Sequence, residues 1–388
     1  MTSHRQKKED YHGFEQGPIR PPSEARSLLI RVTRNCPWNH CAFCPVYKGA
    51  RFSVRPEAHV IEDVDAIHRH VSSLRALANG QGQILRQDIS LHMQGLPEHD
   101  QQSLAAALNW FAGGMTSIFL QDANSLVVKP DSLIRILRHI RSRFPWVERI
   151  TSYARSHTVA RIGDDNLKAM QAAGLNRIHI GLESGSDAVL AKIRKGVDKA
   201  AQVKAGRKVK KAGMELSEYV MPGLGGRDLS SDHAQETADA LNQINPDFIR
   251  LRTLAIPGGI PLAEQYRAGQ FVKLNDVEMV REIRLFVESL DGITSMIASD
   301  HILNLFEEVQ GRMPAAKPEI LAVLDQFLES APQDQCLFQV GRRLGIFSRM
   351  ADMNSPRRRA KVEAFCQQHG IGPENVDAMV DEMMKRFI

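Results

Sequence analysis

The sequence predicts an α/β fold in which strand and helix units surround a parallel sheet and a helical C-terminal region follows. Two observations carry the prediction. From Ser27 to about residue 262, short β-branched or apolar runs alternate with longer amphipathic stretches, the pattern of repeated strand–helix units around a parallel sheet. Beyond about residue 270 the strand-like runs stop and amphipathic helical stretches take over. A third observation sets the phase of the central units, where a helical pattern ends at a glycine and a strand follows.

Taken in order, the N-terminal stretch MTSHRQKKEDYHGFEQGPIRPP is charged and has no apolar core, so residues 1–26 are expected to form a disordered leader rather than a targeting peptide. Seven runs read as strands: SLLIRV (27–32), ISLHM (89–93), SIFL (117–120), RITSYA (149–154), RIHIGLE (177–183), MELSEYVM (214–221) and FIRLRTLAI (248–256). Between them, DSLIRILRHIRSRF carries Leu133, Ile136, Leu137 and Ile140 at helical spacing behind an expected N-cap, Asp131. DDNLKAMQAAG stops at Gly174 and VKAGRKVKKAG at Gly213. In the C-terminal region LNDVEMVREIRLFVESL, PEILAVLDQFLES and the last 30 residues read as helices.

A chain of 388 residues buries a full core without staples, and 43% hydrophobic with 24% charged residues is ordinary globular composition. No apolar run approaches the roughly 18–20 residues of a membrane span, so a soluble, cytoplasmic protein is expected. A net charge of +5 permits a nucleic-acid or an acidic redox partner without selecting either. The run PRRR (356–359) could touch phosphate but reads first as a solvated helix face, and together with KAGRKVKK (204–211) it is what suggests an RNA partner.

The cysteines say more. There are five, an odd number, and Cys336 and Cys366 stand apart in the C-terminal region, so a disulfide framework is not expected. The other three, Cys36, Cys41 and Cys44, crowd into RNCPWNHCAFCPVYKG (34–49) directly after the first strand. Structural zinc would want a fourth ligand and normally a second pair downstream; none is present, and His40 lies awkwardly beside Cys41. An iron–sulfur cube held by three cysteines leaves one iron open to a cofactor or substrate.

A C-x4-C-x2-C loop behind the first strand, with Phe43 just before the last cysteine, resembles the radical S-adenosylmethionine (SAM) superfamily, whose usual spacing is C-x3-C-x2-C. The resemblance implies a partial (β/α)6 TIM-like barrel over residues 27–265, with 266–388 as a helical extension. It implies a [4Fe–4S] cluster on Cys36, Cys41 and Cys44 whose open iron chelates SAM, and an electron that cleaves SAM to a 5′-deoxyadenosyl radical. By the same resemblance Phe43 lies near the adenine. Gln121 and Asp122, in QDAN (121–124), fall where the family's Gly-Gly-Glu segment holds the SAM amino group, and Ser152 is a further cofactor contact. GLESGSDAVLAKIRKG (181–196) resembles the fourth-strand segment of the oxygen-independent coproporphyrinogen oxidase and elongator-type branches, which puts Glu183 at the ribose and Lys195 at the methionine carboxylate. ELSEYVMPGLGG (215–226) resembles the segment that closes over the nucleoside, with Ser217 and Tyr219, alternating with Glu215 on one strand face, as ribose contacts. The backbone at Ala255 and Ile256 would meet the adenine edge.

For the reaction itself the expected residues are Tyr47, Tyr153 and Arg155; Tyr153 could instead finish a core layer and Arg155 cap a helix. Some 26 residues before the first strand leave no room for a cobalamin domain, and Cys336 with Cys366 do not make a second cluster, so one cluster is expected. The resulting expectation is an enzyme that abstracts hydrogen from a small organic substrate, with a flavodoxin or ferredoxin as electron donor and no membrane partner. An RNA-modifying enzyme is the alternative within enzymes. A non-catalytic haem or metallocofactor carrier, with His301 as ligand, is the alternative outside them.

Overall fold

The structure, a computed structural model, describes residues 10–94 and 96–384. The chain divides into two compact units: residues up to 37 with 49–179 and 211–214, and residues 38–48 with 180–210 and 215 onward.

In the first unit, β1 (Leu28–Arg31), β2 (Ser117–Gln121) and β3 (Arg149–Ala154) are parallel, with Leu28 opposite Ile118 and Ser117 opposite Arg149. Strand β4 (Leu175–Glu183) begins here and passes into the second unit after His179. Helix α1 (Glu57–Leu77) buries Val60, Val64, Ile67, Val71 and Leu74, the stripe that a helix lying on a sheet requires. ISLHM, expected as a strand, lies in helix α2 (Arg86–Gln94), which buries no residue. Its alternation has no apolar face to satisfy, and Ile89 and Met93 fit a helical period equally well. Helix α3 (Glu98–Ala112) follows. The expected Asp131 cap is also corrected: helix α4 (Pro130–Arg143) starts one residue earlier, with Pro130 in its first turn and Asp131 placed where a carboxylate favours the helix dipole. Its buried stripe is the expected one, joined by Ile134. Helix α5 (Asp164–Ala172) stops before Gly174, φ 110°.

In the second unit, β5 (Glu215–Val220), β6 (Phe248–Leu251) and β7 (Met296–Ala298) are parallel, and β8 (Gly311–Arg312) closes antiparallel on β7. Strands β1 to β8 succeed one another in the sheet in chain order. A mostly parallel sheet with its first six strands separated by helices has the connectivity of the expected partial (β/α)6 barrel. Two details differ from the sequence reading. The strand at FIRLRTLAI ends at Leu251, because Asn304 takes over the backbone beyond it, donating to the Leu251 carbonyl at 2.8 Å and accepting from the Thr253 amide at 3.0 Å. Strands also continue past residue 270, as β7 and β8, too short to register as sequence runs.

The helices of this unit are α6 (Asp187–Lys192), α7 (Lys199–Lys211), α8 (Ser230–Ile244), α9 (Pro261–Arg267), α10 (Asp276–Ser289), α11 (Lys317–Glu329), α12 (Pro332–Arg343), α13 (Pro356–His369) and α14 (Val376–Met384). The C-terminal ones close around stacked rings of Phe306, Phe338 and Phe347. No helix among the described residues is long and apolar enough to cross a membrane.

The expected leader is described from Asp10, and that part is tied down rather than loose. Phe14 and Glu24 are buried, Tyr11 donates to Asp63 at 2.9 Å, and the Gln121 side chain holds Gly17 and Ile19. Charge in this stretch serves specific ion pairs, which composition alone does not distinguish from disorder.

Candidate active site

The second unit holds most of the cysteine loop, residues 38–48. Its curl is fixed from within. Asn39 has a left-handed backbone, φ 49°, and its side-chain amide donates to the Tyr47 carbonyl; Lys48 Nζ donates to the carbonyls of Asn39 and Cys41 at 3.0 and 2.8 Å. The loop is docked through its backbone, Ala42 donating to Ile193 O at 2.8 Å and accepting from Leu262 N at 3.0 Å. Trp38 Nε1 donates to Arg194 O at 2.8 Å, and its ring lies over Gly196, where a Cβ would come within 2.3 Å. With φ at 70°, position 196 is suited to glycine on both counts.

One residue before Gly196 stands Lys195. Its Nζ lies 3.0 Å from Glu183 Oε1, and the two side chains are only 12% and 13% exposed. Glu183 ends β4 with φ 63°, its carbonyl accepting from Met221 N at 3.0 Å. Gly181, two residues back on the same strand face, leaves the room: a Cβ there would sit 2.2 Å from Glu183 Oε1 and 3.1 Å from Lys195 Nζ. The Phe43 ring centroid is 5.8 Å from Lys195 Nζ, within cation–π range. Phe43 and Ile256 both pack on the apolar cluster around Ala42, Ile193, Met221 and Leu254, and Ala255 beside them is half-buried. The structure thus gathers Phe43, Glu183 and Lys195, with Ile256 on the same apolar floor. The rest of the GLESGSD motif anchors this arrangement: Gly185 N donates to Thr237 Oγ1, Ser184 Oγ meets His233 Nδ1, and Ser186 caps α6 through Val189 N.

Other expected residues are placed differently. Ser217 is fully buried and accepts from Arg250 Nε at 3.3 Å; Arg250 is also paired with Asp300. Tyr219 is half-buried, and Glu215 is exposed. Tyr47 is buried, 4% exposed, and its carbonyl accepts from Asn39. His301 Nδ1 accepts from Leu303 N at 3.3 Å, and burial, with Arg252 nearby, pushes its pKa down to about 4, leaving a neutral imidazole.

Sequence reasoning missed Glu218. Its carboxyl is 1% exposed, and among the described residues Oε2 has no hydrogen-bond partner. Burial drives its pKa well above the carboxylate range, against a pull from Lys195 and with a push from Glu183, which places it within electrostatic reach of that pair. The signal was there to read: Glu218 alternates with Leu216 and Val220, an acid in an otherwise apolar row. Lys48 was missed too, since nothing in the sequence says that its ammonium folds back onto the loop.

In the first unit, Cys36 follows Asn35 at the base of the loop, where Thr33–Arg34 pairs antiparallel with Ser53–Val54. Gln121 and Asp122, expected to hold the SAM amino group, are otherwise engaged. Gln121 Nε2 donates to the Gly17 and Ile19 carbonyls at 3.1 and 2.6 Å, and its Oε1 accepts from Gly17 N at 2.8 Å. Asp122 Oδ2 accepts from Arg31 at 2.8 and 3.2 Å and from Asn35 N at 3.2 Å. Ser152 Oγ is fully buried and donates to Tyr153 O at 3.1 Å. Tyr153 lies edge-on to Phe119 at 5.1 Å, with His179 at 5.9 Å, in a core layer; Arg155 is the N-cap of the short helix Ser156–Val159.

Do these residues suit an iron–sulfur cube? Among the described residues no three His, Cys, Asp or Glu side chains converge as a metal site. The donor set itself fits: Cys36, Cys41 and Cys44 are half-buried thiols on one curled loop, the ligand type that iron–sulfur clusters take. Cys336 and Cys366 are buried within reach of each other, and burial pushes the Cys336 thiol up to about 11, so they stay protonated.

The family model described as the radical SAM superfamily matches residues 99–240. The tRNA uridine(34) acetyltransferase of Methanocaldococcus jannaschii is 22% identical over 129 residues, 33% of this chain and 24% of that protein; that of Methanocaldococcus infernus is 22% identical over 121 residues, 31% and 23%. The chain thus spans about a quarter of the length of these curated relatives. Among solved structures, the archaeal Methanocaldococcus infernus Elp3 aligns with a TM-score of 0.41 at 15% identity, covering 54% of this chain and 55% of that one. Coproporphyrinogen III oxidase (HemN) from Escherichia coli aligns at 0.43 and 14%, covering 68% and 52%.

Proposed function

From the radical SAM domain that the chain carries, we propose an enzyme that binds SAM beside a [4Fe–4S] cluster and abstracts hydrogen from a small organic substrate. The observation that carries this reading is the half-buried Glu183–Lys195 pair with the Phe43 ring beside it, on the loop that bears Cys41 and Cys44. Cys36, Cys41 and Cys44 would hold the cluster, which when bound supplies the electron that cleaves SAM to a 5′-deoxyadenosyl radical. Lys195, paired with Glu183, would meet the methionine carboxylate while Glu183 accepts from a ribose hydroxyl. Phe43 and Ile256 offer the adenine a flat apolar floor. Burial of the pair removes competing water and strengthens both contacts. An acidic flavodoxin or ferredoxin suits the net charge of +5 as donor.

The test is anaerobic reconstitution followed by dithionite or flavodoxin reduction with SAM. About four irons and four sulfides per chain are expected, with slow release of 5′-deoxyadenosine. Iron uptake and SAM binding without 5′-deoxyadenosine above a Cys36→Ala, Cys41→Ala, Cys44→Ala control would overturn the enzyme reading in favour of a carrier, and a protein that takes up zinc alone would end both.

A tRNA substrate is the second reading, favoured by the two tRNA uridine(34) acetyltransferases among the relatives. Against it, much of the basic runs is neutralised within the chain: Lys210 pairs with Asp247, Lys211 with Asp164, Arg358 with Asp352 and Arg359 with Asp334. Binding of bulk tRNA that falls steeply with salt would support this reading, and absence of binding at low salt would remove it.

A further inference from the structure

We propose that Asp122 and Glu15 are positioning residues that clamp the base of the cysteine loop and, with the segment from Tyr11 to Ile19, set the position of Cys36. The inference rests on the reading that this loop holds a cluster. It departs from the expectation that Asp122 touches SAM.

The loop leaves the first unit through two short strands, Thr33–Arg34 and Ser53–Val54, and returns through them. Glu15 closes this ribbon from outside: its carboxylate meets Arg34, on one strand, at 2.7 Å and Arg55, next after the other, at 2.6 Å. Arg31 joins it at 3.3 Å and extends to Asp122 at 2.8 Å. Asp122, fully buried, then accepts the amide of Asn35, the residue directly before Cys36. Asn35 has φ 67°, a left-handed conformation that an asparagine adopts at some cost and that its contacts must hold. Its side chain donates to Arg51 O at 2.6 Å, across the mouth of the loop. Two carboxylates therefore fix the direction in which the chain enters Cys36.

The segment that presents Glu15 is itself locked. Both amide groups of the Gln121 side chain are spent on Gly17 and Ile19. Gly17 lies so close that a Cβ would stand 2.8 Å from Asp122 Oδ2 and 2.9 Å from its Cγ. Asp122 has no way to yield, being held by Arg31, so any side chain at position 17 must push the segment off the clamp.

The experiment compares iron release to a chelator from reconstituted wild type, Glu15→Gln, Gly17→Ala and Asp122→Asn. Circular dichroism melting of each apo-protein is recorded alongside, with SAM affinity of each loaded form. Expected is release about 10-fold faster in all three variants, the size typical of losing a group that orients a metal ligand, with apo melting of Glu15→Gln unchanged and SAM affinity of the loaded forms unchanged. Glu15→Gln, at a half-buried side chain, keeps the test open should Asp122→Asn fold poorly. Wild-type release rates in Glu15→Gln and Gly17→Ala would overturn the clamp and leave the cluster reading standing. Normal iron retention with lost SAM affinity in Asp122→Asn would overturn it in favour of a SAM contact, and a wild type that takes up no iron would overturn clamp and cluster together.

Discussion

At the scale of single residues, the Glu183–Lys195 pair decides most. Replacing either by Ala is expected to weaken SAM binding by about 1.5–3 kcal/mol, the worth of a charged hydrogen bond, with iron content near wild type; calorimetric titration of the loaded protein checks it. Full SAM affinity in both variants would mean that the pair is only structural. Gly181→Ala should mimic the defect without removing a charge, because its methyl would occupy the space of Glu183 Oε1. Glu183, Lys195 and Phe43 could be singled out because they sit in short motifs, and the fold brings them together. Lys48 and Trp38 could not, since each acts through a tertiary contact that no local pattern records, whereas Glu218 stood out as an acid in an apolar row and was passed over. Gln121 and Asp122 were read as SAM contacts from the resemblance, and no sequence pattern showed their contacts to residues 17–19 and 31–35.

At the scale of elements, strand ends matter more than strands. RITSYA and the cores of SIFL, RIHIGLE and MELSEYVM were readable because β-branched and apolar residues fill them; ISLHM was misread because five residues satisfy both periods. The end of β6 was set by Asn304, from about fifty residues later in the chain. Asn304 is 4% exposed; its Oδ1 accepts from Thr253 N and Oγ1, and its Nδ2 donates to Leu251 O and Ser299 Oγ. Asn304→Ala should lower stability by at least about 2 kcal/mol, because it leaves buried backbone groups unsatisfied, and should loosen the adjoining Ala255–Ile256 stretch. Urea unfolding and amide exchange at residues 251–256 measure the two effects. Unchanged exchange there would mean that the strand end holds itself.

At the scale of the whole molecule, buried acids and bases set the pH response. Glu218 has its folded pKa raised by burial, so the folded state binds a proton that the unfolded state gives up above the ordinary carboxylate value of 4.5. Its contribution to stability therefore falls as pH rises above that value. Glu218→Gln should raise the urea midpoint at neutral pH and flatten that decline; a midpoint unchanged from pH 5 to 8 would mean that the carboxyl is ionised in the fold. Glu15 acts in the opposite sense: burial pushes it up, but the hydrogen bond from Arg34 and the charges of Arg55, Arg34 and Arg31 outweigh this and hold it below 4.5. What it stabilises is complete above that value and lost as pH falls through its folded pKa. Iron release from the wild type should thus rise only as pH falls below 4.5, and Glu15→Gln should weaken that dependence.

The anchoring of residues 11–24 has a practical side. A charged stretch of this kind invites trimming when an expression clone is tidied, and a chain that begins after Ile19 loses the contacts to Arg34, Arg55 and Gln121. It would arrive colourless, or bleach on dilution, and be taken for a protein that never carried iron. Preparations that begin after Ile19 should be compared with the full sequence by iron content before any conclusion about activity is drawn from them.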